Sequence, residues 1–292
     1  MAATQVISDS YAAALPLVTV GMPIRNGDPY FKLALESVLA QDYPNLEIVV
    51  SDNGSTDRTA GILARAAAAD PRIRFFRQSE VLTAFENFYW VLCQARGIYF
   101  MWAAHDDLRP ENFVSSLVAK LEVTPDAVLA FSDVRVSPVF GQSYVYKTFD
   151  YETQGMGRLS RMRKTASLQC YHIYGMWRHD ALTRIPFIFN SWWPDLPLMI
   201  AAASIGVFCR VRGLDFDYLE VRKTNEHRAL YQDNAIKVNR FVRTLRLFHV
   251  IFQTVRVVSG PMLALIATWF VIEKQFWVAF GLLTRQIHRG DY

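Results

Sequence analysis

Three acidic clusters in this chain have residue types and neighbours that could do chemistry. Ser51-Asp52-Asn53-Gly54-Ser55-Thr56-Asp57 follows the β-rich run 46–50 (LEIVV) and precedes an alanine-rich helical stretch. In such a loop Asp52 can accept from an N–H of a nucleobase, and the amides that open the next helix face an anion. An ordinary turn with a Thr or Asp helix cap gives the same string. Asp106-Asp107 closes the almost wholly apolar run 98–104 (IYFMWAA), with His105 as a packing or hydrogen-bonding neighbour. Adjacent carboxylates repel unless something compensates, and Mn²⁺ or Mg²⁺ favours a few carboxylates together with the oxygens of a diphosphate. The alternative is a solvated turn that caps the helix starting at Pro110. Asp195 follows Trp192-Trp193-Pro194 and opens an apolar stretch to Ile205. Bulky apolar neighbours can raise a carboxyl pKa and make it a general base, while an N-cap is the structural reading. There is no Walker lysine and no G-x-G-x-x-G, which argues against the usual phosphate-loop and dinucleotide motifs.

The elements that must position these clusters alternate at short range. Strand patterns cover 17–22, 46–50, 73–76, 98–104 and 128–136. Between them lie an amphipathic stretch with Leu33, Leu35, Val38 and Leu39 on its apolar face, and helices over about 56–70, 83–95 and 110–120. This order predicts an α/β fold with helices on both faces of a mostly parallel sheet, and the apolar run 98–104 reads as a central strand. Such sheets bind ligands beyond the carboxyl ends of their strands, where the polar clusters fall. The second half is less regular. Residues 141–157 read as a loop or irregular hairpin, 196–205 as an apolar helix, and 207–211 and 218–221 as two further strands. From about Gln232 the pattern is helical.

The 292 residues are long enough for one large or two small domains, and their 31 Lys+Arg against 27 Asp+Glu give a net charge of +4, too mild to indicate nucleic-acid binding. Cys93, Cys170 and Cys209 form neither a disulfide framework nor a zinc spacing, which suits a reduced, cytosolic chain. Residues 1–14 lack a basic segment and an apolar core and read as a loose tail rather than a signal peptide. The nearest approach to a membrane span, 257–272, is broken by Ser259, Gly260 and Pro261 and falls short of about 20 residues. Lys237, Arg240, Arg243 and Arg246 recur every three residues, with Val238, Phe241, Val242, Leu245, Phe248 and Phe252 near one face. That helix, followed by the apolar stretches 257–272 and 275–283, suits either an anionic membrane surface or packing on the rest of the chain, including a dimer contact.

Taken in order, Pro23-x-x-Asn26, Ser37, Gln41, Glu47, Asp52, Gly54-Ser55-Thr56-Asp57, Asn87, Gly97, Tyr99 and Asp106-Asp107 closely resemble glycosyltransferase family 2. The resemblance is strong over 17–136 and continues more faintly through Ile173-Tyr174-Gly175-Met176-Trp177-Arg178 and the Asp195 helix to Gly206. It implies the GT-A fold, which is Rossmann-like. Residues 15–231 would then form the catalytic domain, with a nucleotide-binding half (15–136) and an acceptor-binding half (137–231), and 232–292 a helical extension that is membrane-associated or oligomerising.

The resemblance further implies metal-dependent, inverting transfer of a hexosyl or deoxyhexosyl group from a nucleotide-sugar donor, UDP- or dTDP-linked, to a glycan or lipid-linked acceptor. Pro23, Arg25, Asn26, Asp52, Asn53, Ser55, Asn87 and Asp106 would line the nucleotide site. Asp106 and Asp107 would hold Mn²⁺ or Mg²⁺, and Asp195 would be the base. His227 is a third metal candidate, because some related enzymes place a late His near the metal or diphosphate; an exposed-loop histidine is the other reading. Trp192 and Trp193 could stack on the acceptor sugar or pack in the core. The chain departs from the family pattern at Ala104, where a first Asp is usual, and at Arg25, where an aromatic is common. The rivals are a polyprenyl-phosphate glycosyltransferase, whose anionic acceptor needs no base, a nucleotidyltransferase, and a nucleotide-sugar-binding assembly subunit without turnover.

Overall fold

The runs VTVGMPI and LEIVVSD are buried along their whole length and form the parallel strands β1 (Val18–Ile24) and β2 (Leu46–Asp52). The structure, a computed structural model, describes residues 15–138, 144–146, 151–167, 170–188, 195–220 and 240–273. The 1–14 tail, Trp192, Trp193, His227, Lys237 and Val238 lie outside these. Strands β3 (Ile73–Arg77) and β4 (Tyr99–Trp102) pair in parallel with β2 and β1 respectively. Three more described strands complete the main path, β5 (Ala127–Pro138), β6 (Tyr144–Tyr146) and β7 (Met176–Arg178), in the order β3-β2-β1-β4-β7-β5-β6. Strand β8 (Val207–Glu220) pairs with β5 in parallel. The expected α/β sheet is present, and β4 is central.

Helices cover both faces. On one, α1 (Phe31–Leu39), α2 (Thr59–Ala69) and α4 (Phe113–Glu122) pack Phe31, Val38, Leu63, Phe113 and Leu117 against Val18, Val20 and Met22 of β1. On the other, α3 (Ala84–Cys93), α5 (Arg158–Thr165) and α7 (Asp195–Ile205) join Phe100, Trp102 and Trp177 in a second core. A short α6 (His179–Thr183) follows β7. The alternation within β4, with Tyr99 and Met101 in one core and Phe100 and Trp102 in the other, is the strand period of two. Each large apolar side chain so buried contributes about 1.5–3 kcal/mol.

At the amino edge of the sheet Glu47 is a hub. It accepts from Thr19 Oγ1 at 2.5 Å and from the Arg96 amide at 2.8 Å, and pairs with Arg74 at 2.9 Å. Gly97 fits this junction because a Cβ would lie 2.7 Å from three backbone atoms of Leu17, Thr19 and Tyr99. Gln41 joins α1 to the start of α4, donating to Pro110 O and accepting from the Val114 amide. These members of the family-like pattern therefore build the frame.

Several elements differ from the sequence expectation. The apolar face of α1 is Phe31, Ala34, Leu35 and Val38, at helical spacing; Leu33 points outward and is 57% exposed. Residues 207–211 and 218–220 belong to one strand, because β8 runs from Val207 to Glu220 and pairs with β5 on both sides of an irregularity that contains Gly213 (φ +75°). Of the two readings of 141–157, loop or irregular hairpin, the described Tyr144–Tyr146 fits the hairpin, since it pairs antiparallel with β5. Strand β7 is antiparallel to both β4 and β5 and sits between them, a placement that three residues cannot advertise.

The C-terminal helices pack on the second core. α8 (Arg240–Ser259) buries Leu247, Val250, Ile251 and Val255, with Phe248 and Phe252 half-buried, and turns Leu245 outward. After Gly260, α9 (residues 261–273) buries Ala264, Ala267 and Val271. No described helix is long and apolar enough to cross a membrane.

Candidate active site

Pro23 and Ile24 of β1 lie opposite Ser51 and Asp52 of β2, so the loops that follow leave the sheet side by side. They are stitched together. Asn26, at φ 48°, accepts from the Thr56 amide through Oδ1 (2.8 Å), and its own amide donates to Ser55 Oγ (2.9 Å). The Gly27 amide donates to Thr59 Oγ1 and the Asp28 amide to Asp57 Oδ2. Burial alone would raise the Asp57 pKa, but hydrogen bonds from Thr59 and Asp28 outweigh it and hold the carboxyl below its usual value. Arg58 closes the seam with a two-pronged bond to Asp28.

A third loop, 78–83, is clamped by Asn53, which donates to Leu82 O and accepts from the Leu82 amide, both at 2.8 Å. Beneath it Ser51 donates to Asn87 Oδ1 (2.6 Å) and accepts from Gln78 Nε2 (2.8 Å). Asn26, Asn53, Ser55 and Asn87 thus hold these loops together through their side chains. Thr83 and Glu86 form a reciprocal capping box that starts α3 at this rim.

Asp52 is different. Oδ1 accepts from the Ser55 amide at 2.8 Å, but Oδ2 is buried and, among the described residues, has no hydrogen bond and only Arg77, at 3.7 Å, for charge. A buried carboxylate oxygen without a donor carries a desolvation cost that an incoming N–H would relieve. Arg77 was not singled out from the sequence; its place at the end of β3, in register with Asp52, is the signal that could have found it. Its guanidinium also donates to Ser55 O, and Arg25 donates to Asn53 O at 3.2 Å.

Strand β4 ends beside Gly21 of β1, and the Ala103 amide donates to Gly21 O, so the acidic loop opens next to the Pro23 loop. The two adjacent carboxylates, expected together at a cation, are placed differently. Asp106 is partly exposed; Asp107 is completely buried, accepts from the Leu219 amide at 3.3 Å, and lies 3.9 Å from a completely buried Arg109. Burial, then the Asp106 charge, push the Asp107 carboxyl up to about 8 against the pull of Arg109. Arg109 donates to Trp102 O and lies over the rings of Phe113 and Phe216 at 5.7 and 5.3 Å. Leu108 and Asp217 exchange backbone hydrogen bonds, which fasten the loop to β8. Arg109 and Asp217 were not anticipated, since nothing local in D-D-L-R-P tells an inward arginine from a solvated one. Among the described residues no three His, Cys, Asp or Glu converge as a metal cluster.

Asp195 is the first residue of α7 and is half-buried. The Val207 amide donates to Asp126 O at the amino end of β5, so α7 finishes at that edge. Topology therefore brings Asp52 and Asp106 to the carboxyl side of the sheet, where α/β folds place ligands.

The family model described as glycosyl transferase family 2 matches residues 19–185. An uncharacterised glycosyltransferase of Rickettsia typhi is 36% identical over 97 residues, 33% of this chain and 29% of that protein. Glycosyltransferase GlyA of Streptococcus pneumoniae is 27% identical over 180 residues, 56% of this chain and 26% of that protein. The matched stretches thus span well under two-thirds of these relatives. In fold the chain is similar to residues 1–349 of S. aureus TarS crystallised with UDP-GlcNAc, with a TM-score of 0.67 at 15% identity, covering 89% of this chain and 72% of that one. It is also similar to the mannosyltransferase PcManGT of Pyrobaculum calidifontis with GDP-Man and Mn²⁺, with a TM-score of 0.55 at 18% identity, covering 96% and 82%. With a family match across more than half its length and a sheet of this architecture, the chain belongs to glycosyltransferase family 2 and has the GT-A fold.

Proposed function

We propose that this protein transfers a sugar, with inversion, from a UDP- or dTDP-linked donor to a hydroxyl of a glycan or lipid-linked acceptor at the cytosolic face of a membrane. The observation that carries the donor reading is the buried, donor-less Asp52 Oδ2 at the carboxyl edge of β2, beside the stitched loops. An N–H of a nucleobase supplies what that oxygen lacks. The similar structures, one with UDP-GlcNAc and one with GDP-Man and Mn²⁺, support a diphosphate-sugar donor without choosing the nucleotide.

A divalent cation fits the acidic loop in one respect that the residues themselves display: Asp106 is reachable, and the neighbouring Asp107 keeps Oδ2 free of hydrogen bonds. Mg²⁺-like cations are held by one or two carboxylates plus phosphate oxygens and retain water, so a site without a third acid at Ala104 is chemically sufficient. Asp106 would hold the ion, with Asp107 behind it. When bound, Mn²⁺ or Mg²⁺ offsets charge on the departing diphosphate. Asp52 orients the base, and Asp195 takes the proton of the acceptor hydroxyl as that oxygen bonds the anomeric carbon opposite the leaving group. The C1–O bond to the diphosphate breaks in the same displacement, which inverts the centre.

Release of nucleoside diphosphate from UDP-, dTDP- and GDP-sugars, with sugar and lipid-phosphate acceptors, tests this. Asp195→Asn should abolish most transfer to hydroxyl acceptors while still binding donor. Wild-type turnover in Asp195→Asn would instead favour an acceptor that is already an anion, such as a polyprenyl phosphate.

A further inference from the structure

The C-terminal helices carry a surface that the transfer reaction does not explain. From Arg240 to Ile272 the chain contains four arginines and no acidic residue, and the acid that ends the run, Glu273, is bound by Arg163 at 2.6 Å. On α8 the exposed residues Leu245, Arg246, His249, Arg256 and Val257 recur at intervals of 4, 7 and 11 and therefore share one side. On α9 the outward residues are Met262, Leu265 and Trp269, which are 70%, 63% and 61% exposed, while Ala264, Ala267 and Val271 fill the core behind them. A helix covering a soluble domain is normally polar on its outer side; this one is apolar on both.

A pocket of about 490 Å³ adjoins the end of α8. Val257, Val258 and Ile205 form its apolar wall, and Arg158 and Arg184 are its cationic residues. Neither arginine makes an ion pair or side-chain hydrogen bond among the described residues, whereas nearby Arg161 is already engaged with Ala203 O and Met156 O. Val257, 62% exposed, belongs both to this pocket and to the outer side of α8. Apolar anchors with an interfacial Trp, unpaired guanidinium groups beside them, and no acid to oppose them are the composition that anionic lipid headgroups recognise.

We propose that the outer face of α8–α9 docks in the plane of an anionic phospholipid bilayer. Val257, Met262, Leu265 and Trp269 enter the acyl boundary, and Arg158 and Arg184 take lipid phosphate. This deepens the membrane-side reading above by naming the surface. Within the C-terminal stretch that suits a membrane surface, the exposed apolar contacts come mainly from α9. The helices lie on the bilayer and do not cross it.

Co-sedimentation of the full chain with phosphatidylcholine vesicles, with and without phosphatidylglycerol, tests the proposal without using turnover. The protein should sediment with the mixed vesicles, weakly with phosphatidylcholine alone, and less as salt rises. Met262→Asp/Leu265→Asp/Trp269→Asp should lower partitioning about tenfold or more. Arg158→Gln/Arg184→Gln should lower it about fivefold per arginine. Melting and nucleotide-sugar binding of both variants should stay at wild-type values, so loss of docking is separable from loss of the donor site. Absence of phosphatidylglycerol-dependent sedimentation in the folded wild type overturns the proposal. So does wild-type partitioning by the triple variant, or sedimentation equilibrium showing that the same three residues hold a dimer that ignores vesicles.

Discussion

Asp107 Oδ2 and Arg109 Nη2 face each other at 3.9 Å with both side chains wholly buried, directly behind the partly exposed Asp106. The pair is incompletely satisfied: Asp107 Oδ2 and Arg109 Nε and Nη1 have no hydrogen bond. Its purpose in the fold is to close the acidic loop onto β8, through the Leu219 amide on one side and Trp102 O on the other. Above about pH 8, where Asp107 is ionised, breaking such a pair from one side strands a buried charge, which costs about 3–5 kcal/mol. In that range Asp107→Asn and Arg109→Met should each lower the melting temperature strongly. The double variant should be about 1–3 kcal/mol more stable than the sum of the singles implies, as urea unfolding would measure.

Asp52→Asn tests the base contact with little change of shape. The amide oxygen can still accept from the Ser55 amide, but the second position becomes a donor where an N–H is expected. Donor affinity should fall about tenfold to a hundredfold by calorimetric titration, while melting stays near wild type. Unchanged affinity would remove Asp52 from the nucleotide site.

The stitched loops have a pH signature. Folded Asp57 titrates below its unfolded value, near 3.9. The stability it contributes is present above that unfolded value and is lost as pH falls through the folded one. Asp57→Asn should therefore melt below wild type at neutral pH, and the gap should close on acidification below about pH 4. Melting curves across that range check it.

At the opposite edge of the sheet Gly97→Ala should destabilise without touching donor contacts. A methyl group there meets three backbone atoms at 2.7 Å, none of which can rotate aside. A cost of about 2–3 kcal/mol is expected from the forced backbone shift, read as a lower urea midpoint.

Much of this architecture is legible in the chain because β1, β2 and β4 are buried on both faces and so read as short apolar runs that end at polar clusters. What escaped depends on partners distant in sequence. Asp106 and Asp107 are indistinguishable as a string, and only the arrival of Leu219 and Arg109 turns the second inward. The bonds from Asn53 to Leu82 and from the Asn26 amide to Ser55 join loops far apart in sequence, so the string does not display them. Leu33 counts as core by composition, and only the helical spacing set by Phe31 and Ala34 sends it outward. Strand β7 is three residues long, held by β4 and β5 rather than by its own propensity.

The central claim, a metal-assisted nucleotide-sugar site built on Asp52 and Asp106, is tested most directly by donor-linked thermal stabilisation. UDP-, dTDP- and GDP-sugars would be measured with and without Mn²⁺ on the wild type and on Asp106→Ala. One nucleotide class should raise the melting temperature of the wild type, less without Mn²⁺, and Asp106→Ala should lose the metal-dependent part. No stabilisation by any donor in either condition would contradict the account and leave a chain with the family's fold but without its donor site.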